Sequence, residues 1–258
     1  LAGGHKPAPN TAAYTTRSLD NHFLPKSYLD DLSTLTGVAY DRYVEGLWRG
    51  GEGLVYDRFD RQEHVREPAE AYERYIVGQD EGYTNPACLL VIGIDGDKRL
   101  SVVEEVYRSN MLELQVIDAA KELASRYNIE AFVIDPSAAK LRAAMHAANL
   151  PVEAADNDVF SGIQKVQQRL IKQGDGLPRL TISPSCSNLL REFETYEWMG
   201  GAGSYKDQPK KENDHALDAL RYATAYVDGT QVEPRFRRAV SSQPQRSAFD
   251  TERMWRTI

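Results

Sequence analysis

The stretch RYIVGQDEGYTNPACLLVIGIDGDKRLSVVEEVYR, residues 74–108, decides the fold. Three runs rich in Val, Ile, Leu and Tyr are separated by a Gly-, Asn- and Pro-containing segment at 81–87 and by Gly96-Asp97. Such punctuation between apolar runs marks turns. Short turns can only join antiparallel neighbours, so 74–108 is predicted to form a three-stranded meander.

The period then changes. Leu112, Val116, Ala119, Leu123 and Tyr127 recur at helical spacing, and EAFVIDP (130–136) is a short, nearly all-apolar strand of the kind buried on both faces. A helix over about 138–148, a strand at PVEAA (151–155), a helix over about 159–173, a strand at RLTIS (179–183) and a helix over 187–196 are predicted next. A last helix over 213–227 closes the series before Asp228 and Gly229. Three antiparallel strands followed by alternating helices and strands predict an α/β fold, with a mixed sheet flanked by helices.

Upstream, residues 25–48 space Tyr28, Leu32, Leu35, Tyr40, Tyr43 and Leu47 as two short helices broken at Gly37. A turn, a short strand over 54–59 and a connector are expected to follow. The first 20 residues are polar and turn-rich. Beyond Gly229 the chain is rich in Pro, Ser, Gln and Arg, and includes Arg235, Arg237 and Arg238. Both ends are expected to be extended or mobile.

Composition narrows the function classes. The chain has 258 residues, 41% of them hydrophobic, enough for a sizeable core without staples. Cys88 and Cys186 match no metal or redox spacing, which favours a reducing compartment. No apolar run reaches membrane-span length and no signal-peptide pattern opens the chain, so no membrane partner is expected. The start at Leu1 suggests a piece of a longer polypeptide with an upstream domain. A net charge of −7 argues against a general nucleic-acid coat, leaving local patches such as Lys206, Lys210 and Lys211.

The carboxylates carry the chemistry. Asp80 and Asp135 each end a predicted strand, at the rim where open α/β sheets place their sites. Either alone could merely cap a turn. In ENDHALDALRYA (212–223), Asp214 and Asp218 share a helix face with His215 one turn from Asp218. A solvated surface is the bland reading of that face. Asp214, in the first turn, is explained by about 0.3–1 kcal/mol of favourable macrodipole interaction. Asp218, expected a turn further in, has only a pair with Arg221, worth about 0.2–0.5 kcal/mol, as structural justification. Hard oxygen ligands without a cysteine point to Mg²⁺ or Mn²⁺, two of which can serve phosphodiester hydrolysis.

Other features carry less. No GxxxxGK[ST] occurs, so no ATP hydrolysis by that route is expected, and GGEG at 50–53 reads as a turn. His5, His22, His64 and His146 fall in no ligand pattern. Glu104 and Glu105 point to opposite faces of their strand, with a solvated edge as the simpler reading.

VGQDEGYTNPA (77–87), FVIDPSAAKL (132–141), NDVFSGIQKVQQRL (157–170), LLREFETYEW (189–198) and NDHALDALRYA (213–223) together resemble the C-terminal nuclease domain of the large terminase subunit of tailed bacteriophages. The resemblance covers most of 70–228, and residues 17–60 look like the junction with that family's ATPase domain. It implies a linker and ATPase remnant over 1–70, a ribonuclease H-like nuclease over 71–229 and an arginine-rich tail over 230–258. It further implies a Mg²⁺- or Mn²⁺-dependent endonuclease, with two ions, that cuts concatemeric double-stranded DNA during genome packaging. Asp80, Asp135 and Asp218 match the family's metal-binding aspartates, His215 a histidine beside them, and Asp214 an additional ligand. Glu81 departs from the family pattern, and its role is left open. The implied partners are DNA, the portal, the small terminase subunit and the ATPase domain, in the host cytoplasm during phage assembly. Two alternatives remain: a portal- or motor-docking module with weak activity of its own, and a resolvase-like nuclease of the same fold.

Overall fold

The computed structural model describes residues 16–33, 44–46, 53–199 and 208–230. Six strands form one sheet: β1 (Arg74–Asp80), β2 (Ala87–Ile94), β3 (Leu100–Arg108), β4 (Ile129–Ile134), β5 (Val152–Ala154) and β6 (Leu180–Ile182), in the order β5-β4-β1-β2-β3-β6. β1, β2 and β3 are the antiparallel meander, while β4 runs parallel to β1, β5 to β4 and β6 to β3. The mixed sheet expected from the sequence is therefore present. The helices are α1 (Lys26–Ser33), α2 (Arg61–His64), α3 (Glu113–Arg126), α4 (Ala139–Ala147), α5 (Val159–Leu170), α6 (Ser187–Thr195) and α7 (His215–Thr230).

The alternation of side chains along each strand divides the core in two. Ile76, Leu90 and Ile92 pack with Val166, Leu189, Phe193, Leu217 and Leu220, from α5, α6 and α7. On the other face, Val77, Leu89 and Val91 pack with Val116, Ala120, Leu123, Leu141 and Met145, from α3 and α4. Every residue of β2 is buried, as a central strand covered on both faces requires.

α7 is the element that positions the site. Its small residues Ala216, Ala219 and Ala223 are fully buried, and Gly78 of β1 lies under Ala219 and Ala223. A Cβ on Gly78 would be driven into the Ala219 carbonyl, so the helix and the strand meet backbone to backbone at this point. Leu217 and Leu220 are buried too, each contributing about 1.5–3 kcal/mol of apolar burial.

The structure corrects four local expectations. Residues 54–59 form turns with a single antiparallel bridge, Leu54 to Glu197, instead of a strand. Val55 and Tyr56 supplied the apolar signal because they plug the core, where Tyr56 lies 5.0 Å from the Phe193 ring and Phe59 lies 4.6 Å from it. The expected connector after them contains α2, whose N-terminus Asp60 caps by accepting from the Gln62 amide. The helix begun at Val159 stops at Leu170, three residues early. α7 begins at His215, two residues later than expected, and continues to Thr230. Most of the second helix expected before Trp48, all but residues 44–46, and the arginines of the tail lie outside the described residues. Among the described residues, no helix is long and apolar enough to cross a membrane.

Candidate metal centre at the strand ends

Asp80 is the last residue of β1, and Asp135 immediately follows β4. These strands are parallel and in register, with Gln79 opposite Ile134, so both chains deliver their aspartates to the same edge of the sheet. α7 crosses the same region and adds His215 and Asp218, while Asp214 immediately precedes it. One cleft of about 610 Å³ is lined by Asp80, Glu81, Asp135, Glu212, Asp214, Asp218, Lys211 and His215, together with Asn85, Pro86, Asn213 and Tyr222.

Each principal carboxylate is tethered by a neighbour. His215 Nδ1 lies 2.9 Å from Asp80 Oδ2. Arg221 donates to Asp218 Oδ1 from Nε (3.2 Å) and Nη2 (2.9 Å), and through Nη1 to the Asp158 carbonyl (3.3 Å). The Tyr222 hydroxyl donates to Asp135 Oδ2 at 2.7 Å, and the Ser137 amide to Asp135 Oδ1 at 2.7 Å. The Arg221 guanidinium also sits 4.7 Å from the centre of the Tyr222 ring. Successive residues of α7 thus tie Asp218 and Asp135 into one network. Gly162 of α5 makes room for the Arg221 stem, since a Cβ there would collide with Arg221 Cγ and Cδ.

These contacts revise the reading of the helix face. Asp214 is 7% exposed and Arg221 2%, so the face holding the acids is packed against protein rather than solvated. Asp214 precedes the first turn, and Asp218 lies within it. The structural justification of Asp218 is accordingly a buried ion pair, stronger than the exposed pair expected.

Burial pushes the Asp80 carboxyl above the usual range, with the Asp218 and Asp214 charges adding to the effect and His215 opposing it. Asp214 is raised by burial and by Asp218. Burial also acts to raise Asp135, but the hydrogen bonds from Ser137 and Tyr222 and the charge of Arg221 outweigh it and hold this carboxyl low. The Asp80 hydrogen bond raises His215, favouring imidazolium. Glu81 is raised by burial, then by the Glu113 and Asp135 charges.

The donor chemistry fits a hard divalent cation. Six carboxylates line the cleft against one lysine and one histidine, and no thiolate is present. Among the described residues, no three His, Cys, Asp or Glu side chains stand close enough together to hold an ion. Side-chain rotation would have to bring them together. Asp80 Oδ1 and Asp218 Oδ2 take no hydrogen bond from the described residues, so these two carboxylates each keep an oxygen available, whereas both oxygens of Asp135 already accept one.

Other sequence candidates are placed differently. Lys211 lines the cleft, Lys210 pairs with Glu197 at 2.6 Å, and Lys206 lies outside the described residues. Glu104 pairs with Arg126 and accepts from Tyr127, while Glu105 caps α6. Neither lines the cleft, and neither is a solvated edge residue. Tyr222 was missed in the sequence reading. Its position four residues after Asp218, on the same helix face, was the available signal.

No protein-family model and no curated protein matches the chain. Solved structures do. The large terminase of a thermophilic bacteriophage, in complex with ATP-gamma-S, superimposes with a TM-score of 0.69 at 30% identity over 80% of this chain. The chain spans about half, 53%, of that protein's length. The P22 large terminase nuclease domain matches with a TM-score of 0.57 at 20% identity, covering 68% of this chain and 93% of that domain. The nuclease domain of the large terminase from bacteriophage SPP1, with bound Mn, matches at 0.51 and 17% identity, covering 69% and 99%.

Proposed function

Starting from a chain with the ribonuclease H-like nuclease fold of the phage large terminases, we propose that it is a divalent-metal-dependent endonuclease that cuts concatemeric double-stranded DNA during phage genome packaging. The observation that carries this reading is the delivery of Asp80, Asp135, Asp214 and Asp218 to one cleft at the C-terminal edge of β1 and β4.

Asp80, Asp135 and Asp218 would hold one or two Mg²⁺ or Mn²⁺ ions, with Asp214 as a further ligand; the manganese in the SPP1 domain supports the choice of metal. Bound there, the cations would supply Lewis acidity to the attacking water and to the departing phosphodiester oxygen. His215 holds the Asp80 carboxylate in orientation, and Arg221 and Tyr222 do the same for Asp218 and Asp135. Lys211 at the rim offers a cation to the DNA backbone, whose phosphates the six acids would otherwise repel. The portal, the small terminase subunit and the ATPase domain are the partners this role calls for, in the host cytoplasm during assembly.

Cleavage of supercoiled plasmid in Mn²⁺ tests the proposal. Asp218→Asn should leave the circular dichroism spectrum unchanged and abolish cutting. An Asp218→Asn protein that cuts like the natural chain would remove the assignment.

A further inference from the structure

Among the described residues, no side chain of α7 or of Asp214 just before it accepts from the Ala216 or Leu217 amide. Instead, Glu192 of α6, 1% exposed, reaches across and accepts from the Ala216 amide (2.8 Å) and the Leu217 amide (3.0 Å) with one carboxylate oxygen. Its other oxygen accepts from the Tyr107 hydroxyl of β3 at 2.8 Å. The first amides of a helix lack intrahelical partners, and the residue just before the helix ordinarily serves them. Here a glutamate from another helix does so, directly beside the residues that matter: Ala216 and Leu217 lie between His215 and Asp218.

The same device recurs one step back. Cys186, the residue before α6, makes no side-chain cap. Glu105 of β3 accepts from the Asn188 amide (3.1 Å) and side chain (2.7 Å) with one oxygen, and from the Leu189 amide (2.7 Å) with the other. A continuous path therefore runs from β3 through Glu105 to α6, and from α6 through Glu192 to α7, with Tyr107 of β3 completing the loop.

We infer that Glu192 is a positioning residue for the acidic cleft: it sets where α7 begins, and so the placement of His215 and Asp218 against Asp80. The inference rests on the reading of the cleft as a metal centre. An apolar side chain would fill the same buried place with less desolvation, since a buried charge is weak evidence for stability. What a carboxylate adds is directional bonding to two amides at a chosen turn. Burial pushes Glu192 up to about 7 despite its three donors, which shows how far this placement costs the charged form.

The test is Mn²⁺ binding by calorimetry to the natural chain, Glu192→Gln, Glu192→Ala and Asp80→Asn, alongside circular dichroism and amide hydrogen exchange. Glu192→Gln keeps an acceptor for both amides and should bind Mn²⁺ as the natural chain does. Glu192→Ala should keep its helix content but bind about tenfold or more weakly, the usual cost of losing a group that orients ligands. Where the natural chain binds Mn²⁺ and Asp80→Asn does not, binding unchanged in Glu192→Ala overturns the inference. If that variant does not fold, Glu192→Asp, one methylene too short to reach, is read by the same criteria. Asp80→Asn tests the metal reading separately: if it binds as the natural chain does, or if neither binds, the metal centre falls. Positioning is then read from exchange at Ala216 and Leu217. Protection lost in Glu192→Ala and kept in Glu192→Gln supports it, and protection kept in both overturns it.

Discussion

At the level of single residues, the cleft depends on how each carboxylate is held. Tyr222 is the most direct check, because its hydroxyl touches Asp135 and its ring touches Arg221. Tyr222→Phe should cut plasmid cleavage about 10–100-fold while changing unfolding free energy by only about 1–2 kcal/mol. Glu192 gives a prediction in pH. Its carboxyl is raised from 4.5 to about 7, so its contribution to stability is full below about 4.5 and is lost as pH rises through about 7. Glu192→Gln has no such titration. Urea unfolding should therefore show Glu192→Gln gaining on the natural chain by about 2–3 kcal/mol between pH 5 and 8. Asp80 and Asp135 were legible in the sequence as acids at the ends of apolar strands. The burial of Asp214 was not, because a helical wheel shows which residues share a face but not what packs against that face.

At the scale of elements, the strand pattern from Arg74 to Arg108 was readable because period-2 apolar runs and turn residues agree there. Residues 54–59 misled because an apolar pair that plugs the core gives the same local signal as a short strand. What no periodicity reports is close approach between elements, and two glycines carry it. Gly78→Ala would force α7 off β1 through the Ala219 carbonyl, and should leave a chain that melts early or fails to fold. Gly162→Ala is predicted to be milder, since it meets the Arg221 side chain rather than backbone. Its overpacking should cost about 1–3 kcal/mol of stability in denaturant unfolding. By shifting Arg221 from Asp218, it should also lower cleavage.

At the scale of the whole molecule, three elements distant in sequence converge on one acidic cleft in a chain with a net charge of −7. Metal binding that relieves this concentration of charge stabilises the folded state by mass action. Mn²⁺ at about a hundredfold excess over its Kd should add about 2.7 kcal/mol to the natural chain. Thermal melting should show little of that gain in Asp80→Asn. The motifs made the fold and four of the six cleft acids, Asp80, Asp135, Asp214 and Asp218, readable in advance, but the place of Glu212 in the cleft and the path through Glu105 and Glu192 to α7 were visible only in three dimensions. Whether these carboxylates form a metal-dependent nuclease site is decided by cleavage of supercoiled plasmid titrated with Mn²⁺. Cutting should rise with Mn²⁺, stop with chelator and be absent in a folded Asp80→Ala protein; cutting that persists in chelator or in Asp80→Ala rules such a site out.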